Sequence, residues 1–478
     1  VKLKGGKMKL LIFIKKIYWL SEKKKAENGG QFIFFTFLCS LLPALLFSQW
    51  LETTIYLPDS LSGMTYPQAF TYNATNNKIY VGGEYGNCVI VIDGETNQKI
   101  ARIPAGRGIC ALCWNSTNNK IYCANYWDST VTVIDGATNQ VIATIPVGRY
   151  PCALVWNSTN NKIYCADSGS DNVSVIDGAT NQVIATIPVG RYPRALVWNS
   201  TNNKVYCANS GSNNVSVIDG VTNQVIATIP VENLPCALVW NSTNNKVYCA
   251  NERSDSVSVI DGATNQVIET IQVGDEPIAL VWNSTNNKVY CANNWSNNVT
   301  VIDGATNQVI TTIQVGRYPQ PLVWNSTNNK VYCANLGSGS VTVIDGATNQ
   351  VITTIPVGVS PRAFAWNSIQ NRVYVANYWS SSISVIRDVM SGIEEYFLPD
   401  VKPFTSEIYS NPAKSFFVIR SSLPVKEIEI FDVSGKLIKE INFSTKEPKI
   451  SLNGIKTGVY LLKIKTENKE FTKKLIIK

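Results

Sequence analysis

The sequence predicts an all-β chain: an eight-bladed β-propeller of 42-residue, four-stranded blades, closed by an N-terminal strand and followed by a small Ig-like β-sandwich. Three observations predict it. The phrase WNSTNNKVYCAN (240–251) recurs with its leading aromatic at Tyr72, Trp114, Trp156, Trp198, Trp240, Trp282, Trp324 and Trp366, always 42 residues apart, a period that marks propeller blades. Each unit reads ALVWN–STNN–KVYCAN–loop–VSVIDG–ATNQ–VIATIPVG–loop. These are four short β-type segments, a to d, separated by Asn, Asp, Gly and Ser, with no helical period. The two ends also complement each other. The eighth unit has segments a, b and c but runs into RDVMSGIEEYFLP, whereas LETTIYLP (51–58) resembles a d segment and precedes the first a segment. Joining these ends leaves no open edge in the last blade. Seven blades would result if the terminal units stayed outside the ring.

Taken in order, residues 1–48 form the targeting segment. Lys23, Lys24 and Lys25 precede the apolar run QFIFFTFLCSLLPALLFSQ, the layout of a secretory signal with cleavage expected near Ser48. The alternative is a membrane anchor, but Phe32 to Phe47 falls short of the roughly 20 apolar residues a span needs. No span is expected in the mature protein.

The propeller is assigned to 50–390. Segment a (Ala237, Leu238, Val239, Trp240) is almost wholly apolar, as for a strand covered on both faces. Segment d alternates with Ala and Thr, as expected nearer the rim. The aspartate of VIDG recurs at Asp93, Asp135, Asp177, Asp219, Asp261, Asp303 and Asp345, and the eighth slot holds Arg387. Asp-Gly beside Asn-rich turns is hairpin chemistry, with side chains bonding the backbone. No EF-hand spacing stands out, so no metal is assigned.

The formal charge of +8 is unevenly placed. Residues 1–49 carry nine Lys against two acidic residues, and 400–478 carry fifteen basic against nine acidic. The remaining 18 basic and 23 acidic residues make the middle mildly acidic, which argues against nucleic acid as a partner.

The repeat, with VYVAN and VIDGATNQVIATIPVG, resembles the YVTN-type or surface-layer-type β-propeller repeat over residues 51–388, although most copies carry Cys where that family has Val. The resemblance speaks for fold and says little about function. After a linker at 391–402, residues 403–478 alternate apolar and polar residues between turn signals, the pattern of a small β-sandwich. Asn411-Pro412, Asp432-Val433-Ser434-Gly435-Lys436, Gly458-Val459-Tyr460 and the terminal Lys473-Lys474-Leu475-Ile476-Ile477-Lys478 resemble the type A C-terminal sorting domain of the type IX secretion system. That resemblance implies the secretion machinery as a partner. It places the mature protein outside, or on the outer surface of, a Gram-negative bacterium.

The chain contains no histidine. A Ser–His–Asp triad, a Cys–His pair and imidazole metal ligation are therefore closed to it. Cys123, Cys165, Cys207, Cys249, Cys291 and Cys333 share one repeat position in segment b, and Cys110, Cys152 and Cys236 share one in segment a. Three of the six lack a counterpart in their own unit, so the b position is read as a small buried apolar residue rather than half of a disulfide. No cofactor is assigned.

The units differ in only two places. The a–b and c–d turns scarcely vary, while the b–c and d–a loops do, and in an up-down blade those two loops share one face of the disc. That face collects Tyr126, Trp127, Trp295, Tyr378 and Trp379 from b–c loops. From d–a loops it collects Arg107, Arg149, Tyr150, Arg191, Tyr192, Arg317 and Tyr318. Exposed aromatic and Arg groups are what binding surfaces use. The expected function is non-enzymatic binding or adhesion to a surface glycan or protein. The alternative is a lactonase-, hydrolase- or lyase-like enzyme with a His-free site in the central channel, using residues such as Arg149 and Arg191. A purely structural reading also stands, in which Arg-Tyr-Pro shapes the entry to segment a and the Trp side chains shield blade edges.

Overall fold

The computed structural model describes residues 49–58, 63–388, 406–409, 416–421, 425–432, 436–445, 448–466 and 470–477. The leader, the linker, Asn411, Pro412 and Gly435 lie outside them. No helix occurs among the described residues. The chain divides into two compact units, on either side of residues 392 and 393.

The first unit is eight four-stranded antiparallel sheets. In seven of them four consecutive strands, a to d, lie in sequence order. The fourth blade, for example, uses Pro193–Asn199, Lys204–Asn209, Asn214–Asp219 and Val225–Pro230. The eighth uses Pro361–Asn367, Arg372–Asn377 and Ser382–Asp388, and its outermost strand is Gln49–Tyr56 from the other end of the unit. Innermost strands touch in order round the ring, and Thr65–Asn73 of the first blade meets Pro361–Asn367 of the eighth. The ring is closed with eight blades. Pairing at the seam runs from Gln49 opposite Asp388 to Tyr56 opposite Ser382, so the closing strand starts at Gln49 rather than Leu51.

Strands b and c are buried almost throughout, because each lies between two blades. Tyr206, Val215, Val217 and Ile229 of the fourth blade pack on Val247, Cys249 and Ile260 of the fifth, and this cluster repeats round the ring. The recurrent Cys fills a small space in that interface. Strand a is buried at its ends but half-buried in the middle. The expectation of cover on both faces fails there, because these strands line the central channel. In each of the first seven blades, strand d carries an Ile that the pairing register skips. Ile184, for instance, lies between Val175 opposite Ala185 and Ile176 opposite Val183. These residues are exposed, and the bulge blunts an outer edge that would otherwise offer itself for strand pairing.

The recurrent Lys and Tyr of KVYCAN join neighbouring blades. Lys78, Lys120, Lys162, Lys204, Lys246 and Lys288 each reach the c–d turn of the next blade. There the Nζ donates to the Gly carbonyl at 2.8–3.1 Å and also to the next carbonyl and an Asn Oδ1. The buried Tyr two residues on bonds the same turn: Tyr80 Oη donates to Asn139 Oδ1 at 2.9 Å. A second belt runs alongside. The Asn closing each strand a donates to the last Asn of the next a–b turn at 2.7–2.9 Å, and Asn367 closes the circle on Asn77. Within the turn, Asp135 Oδ1 accepts from the Ala137 and Thr138 amides and the Thr138 hydroxyl. Those bonds, the Thr138 amide foremost, hold its pKa below the ordinary carboxylate value.

The eighth blade has no c–d turn for Lys330 to grip, because its d strand comes from elsewhere. Asp388 stands in. It takes Lys330 Nζ at 2.7 Å, Asn325 Nδ2 at 2.6 Å and Gln49 Nε2 at 2.9 Å, all buried. Arg372, in the Lys position of that blade, grips the Gly94 and Glu95 carbonyls and also pairs with Glu52 of the closing strand at 2.5 Å. Charge replaces the missing covalent turn. Removing one partner of a buried pair costs about 3–5 kcal/mol, against about 1.5–3 kcal/mol for hydrogen bonds to a charged group. Lys330→Met should therefore lower the urea unfolding midpoint of the propeller clearly more than Lys246→Met. Equal shifts for the two variants would contradict this account of the seam.

The second unit has two sheets. One holds Ser406–Tyr409, Phe416–Ser421 and Lys449–Ser451. The other has the spatial order Leu437–Thr445, Val425–Asp432, Gly458–Thr466 and Glu470–Ile477. Phe417, Ile419, Ile428, Ile430, Leu462, Ile464 and Leu475 form its core. Asp432 lies opposite Tyr460, Gly458 opposite Ile477, and Lys473 and Lys474 opposite Leu462 and Leu461. Asp432, Gly458, Tyr460, Lys473 and Lys474 thus share one sheet. Tyr460 Oη donates to the Lys456 carbonyl at 2.8 Å, and Asp432 closes its hairpin by bonding Lys436.

Candidate functional site

The b–c and d–a loops of the second to eighth blades are hydrogen-bonded together, which puts both variable loops on one face. The Tyr126 and Trp127 amides donate to the Gly108 and Arg107 carbonyls. Ser168 and Gly169 donate in the same way to Tyr150 and Arg149, and Ser210 and Gly211 to Tyr192 and Arg191. The third b–c residue caps the d–a loop: Ser170 Oγ accepts from the Arg149 amide at 2.7 Å, Ser212 Oγ from Arg191 at 2.9 Å and Ser338 Oγ from Arg317 at 2.7 Å. In the second blade Asp128 takes this place and also binds the Arg107 Nε at 2.7 Å. The guanidinium groups of Arg149 and Arg191 rest on the Gly169 and Gly211 carbonyls.

A packing rule governs the aromatics. The last d–a residue has a left-handed backbone: Tyr150, Tyr192 and Tyr318 have φ of 57°, 52° and 55°. This conformation favours glycine, the residue found at Gly108. Each Tyr ring covers the second b–c residue of its blade, which is then glycine. A Cβ at Gly169, Gly211 or Gly337 would collide with Tyr150, Tyr192 or Tyr318. In the second blade the pair is reversed: Trp127 fills the slot, and a Cβ at Gly108 would strike its ring. The sixth and eighth blades also take Trp from the b–c side, beside Glu276 and Ser360. The fifth, with Leu234 and Arg253, has no aromatic in the slot.

Clusters form where a Trp blade precedes a Tyr blade. Tyr126 stacks on Tyr150 (4.8 Å, 17°), with Trp127 edge-on to both at 4.8 and 5.9 Å. Tyr378 stacks on Tyr66 (4.9 Å, 22°), with Trp379 edge-on to both at 5.1 and 5.3 Å. The two triads are superposable in kind. Trp295 and Tyr318 form a third, partial cluster (5.9 Å, 39°) with Asn294 in place of the first Tyr. Trp127, Trp295 and Trp379 are 52, 60 and 62% exposed. Tyr378 corrects the expectation of an exposed ring: it is 9% exposed, held between Tyr66 and the Arg362 guanidinium, with its hydroxyl donated to Glu84. Tyr192 stands over its glycine with no second ring against it among the described residues. The sequence reading missed Tyr66, Tyr85 and Arg362. Tyr66 was within reach, since it lies two periods of 42 before Tyr150, but the first blade's diverged YVGGEYGNC obscured it.

The innermost strands give the channel a wall of Ala, Leu, Val and Trp. Polar residues enter it near the loop face, at the second position of strand a, where a bulge turns the side chain toward the next blade. Cys110 and Cys236 donate there to the Pro151 and Pro277 carbonyls, and Arg194 pairs with Glu252 at 2.6 Å. The described cysteines are free thiols, and burial pushes Cys152, the least shifted of the three at this position, up to about 11.

One blade breaks its own rule inside. Where the fourth blade has Asn209 donating to Asn214 Oδ1 and Ser216 Oγ, the third has the fully buried Asp167. Ser174 and Cys165 now donate to it, and Asn172 Oδ1 is left without a donor. Burial raises the Asp167 pKa from 3.8 to about 6, and a protonated Asp167 would supply the donor that Asn172 lacks. A carboxyl raised in the fold stabilises below its unfolded pKa and loses that contribution as pH rises through the folded one. The melting temperature should therefore fall between about pH 4 and pH 7, and Asp167→Asn should remove that slope and gain about 3 kcal/mol at neutral pH. An unchanged pH profile in the variant would refute the assignment. Gly169→Trp should destabilise the third blade by about 1–3 kcal/mol through overpacking. Adding Tyr150→Gly should restore most of it, and a double-mutant cycle showing no coupling would rule out the slot.

Comparison with known proteins agrees with this architecture. Residues 407–478 match the secretion system C-terminal sorting domain family. That match indicates secretion through the type IX system to the cell surface or extracellular space. No curated protein matches the chain. Among solved structures it resembles Kuenenia stuttgartiensis hydrazine synthase (17% identity, 69% of this chain and 98% of that one, TM-score 0.51). It also resembles Saccharomyces cerevisiae Sqt1 (12% identity, 71% of this chain and 100% of that one, TM-score 0.61). At these identities the likeness is one of fold. The fold and tail together define a secreted β-propeller.

Proposed function

We propose that this chain is a secreted or cell-surface, non-enzymatic binding and adhesion protein of the surface-layer propeller type, which engages the type IX machinery through its tail and a surface component through its loop face. The observation that carries this reading is the asymmetry of the disc. On one face the Lys, Tyr and Asn side chains are consumed by bonds to the next blade. On the other, Trp127, Trp295 and Trp379 stand more than half exposed on loops that vary from blade to blade. Exposed large aromatics on a rigid scaffold are the composition of binding hot spots. The enzyme alternative draws less support. Arg149 and Arg191 rest on loop carbonyls, and the channel wall is mainly apolar.

Outer-membrane fragments immobilised on beads test the reading. Trp127→Ala combined with Trp379→Ala should reduce retention of the purified protein at least about tenfold, the scale of losing hot-spot side chains, while the unfolding curve stays within about 1 kcal/mol. Full retention by the folded double variant would remove the loop face as the binding surface.

A further inference from the structure

Resting on that reading, we infer that the two aromatic triads, Tyr126–Trp127–Tyr150 and Tyr378–Trp379–Tyr66, are duplicate stacking platforms for neutral sugar rings, and that the propeller binds polysaccharide bivalently. Four observations lead there. First, the triads share one geometry: a stacked Tyr pair with an exposed Trp set edge-on to it, repeated within 0.5 Å and 10° for the Tyr–Tyr and Tyr–Trp contacts of the b–c loop. The stacked pair holds the indole in place, so its face is presented without a loop having to order on binding. Second, size discriminates between partners. Three aromatic side chains bury about 150–250 Å² each when fully covered, and here much of that is already spent inside the triad. What remains is well below the roughly 800 Å² per partner of a standard protein interface, and suits one or two pyranose rings, whose C–H face packs on the negative face of an indole.

Third, the charge beside each platform is balanced. Arg107 next to Trp127 is paired with Asp128. At the other triad the Arg362 guanidinium lies 4.7 Å from the Tyr378 ring centre, and Tyr378 in turn donates to Glu84. Arg149, beside Tyr150, rests on the Gly169 carbonyl, and no arginine stands at an equivalent place in the other triad, so the two platforms share no unpaired cation for a uronate or a sulfated sugar, while both offer polar groups at the rim for hydroxyls. Fourth, the platforms sit at the 8/1 and 2/3 blade junctions, one quarter-turn of the ring apart and on the same face. A single polymer, or two chains of one surface, can engage both, and linkage multiplies weak sites into avidity of about 10²-fold or more.

The test uses the full mature chain and beads carrying β-1,4-glucan, β-1,4-linked N-acetylglucosamine polymer or α-mannan. Wild type should be retained on at least one polymer, and the hexasaccharide of that polymer should compete and titrate tryptophan fluorescence with a stoichiometry near two. Trp127→Ala and Trp379→Ala should each bring the stoichiometry to one and cut polymer retention at least about tenfold, while Val221→Ala, exposed in a c–d turn of the opposite face, leaves both unchanged. No retention on any of the three polymers, or a stoichiometry that neither variant changes, would overturn the inference. Outer-membrane fragments separate this failure from that of the broader reading. If periodate oxidation of the fragments leaves retention intact while the double Trp variant still abolishes it, the loop face binds something other than sugar. If the double variant binds the fragments normally, the loop-face reading itself falls.

Discussion

The structure depends on one contact repeated round a circle: a lysine and a tyrosine in strand b of one blade gripping the c–d turn of the next. A four-stranded sheet of 42 residues cannot bury both its faces alone. It becomes stable only when a neighbour covers each side, and the grip fixes how that neighbour sits. Three lysine hydrogen bonds and a tyrosine hydroxyl meet on one c–d turn, and the asparagine belt ties the neighbouring a–b turns beside it. That explains the near-identity of KVYCAN and DGATNQ across copies. A substitution in one would have to be matched in the next.

The same contact explains the seam. A ring built from a linear chain must end somewhere, and the last blade borrows its outer strand from the other end of the unit. The turn that should be gripped does not exist there. Asp388 replaces the missing carbonyls with a carboxylate for Lys330, and Arg372 keeps its grip on the Gly94 and Glu95 carbonyls while adding an ion pair with Glu52 of the closing strand. A buried carboxylate lacking its cation would be costly, so these pairs also penalise any register other than the closed one. Arg387, where every earlier copy has aspartate, marks this change.

Freedom follows from where the contact is absent. The b–c and d–a loops bond mainly to each other and to adjoining loops, so most of their side chains can change without disturbing the interfaces between strands. They are still not unconstrained. In most blades of the loop face one slot is filled by a tyrosine from one loop or a tryptophan from the other, with glycine opposite in four of them. The clusters arise from the order of these choices round the ring, because a tryptophan blade followed by a tyrosine blade brings the rings into contact. Variation is thus channelled into the number and position of aromatic platforms, and the tail delivers that face to the outside of the cell.

The amino-acid sequence alone determined the period, the four strands of each blade, the borrowed closing strand, the sandwich tail and the division into a plain and a variable face. All of these follow from local patterns of β-branched residues and turn formers repeated at a fixed interval, and neighbouring copies can be read against each other. Tertiary structure alone decided what depends on distance across blades. The lysine grip reaches 58 residues ahead, and the seam contacts of Arg372 with Glu52 and of Gln49 with Asp388 join residues more than 300 apart. Tyr378 is buried by Tyr66, a partner from the diverged first copy. The count of eight was fixed only when the first and last innermost strands met. A repeat specifies its own fold and its demand for a neighbour, but side-chain exposure is set by which neighbour arrives.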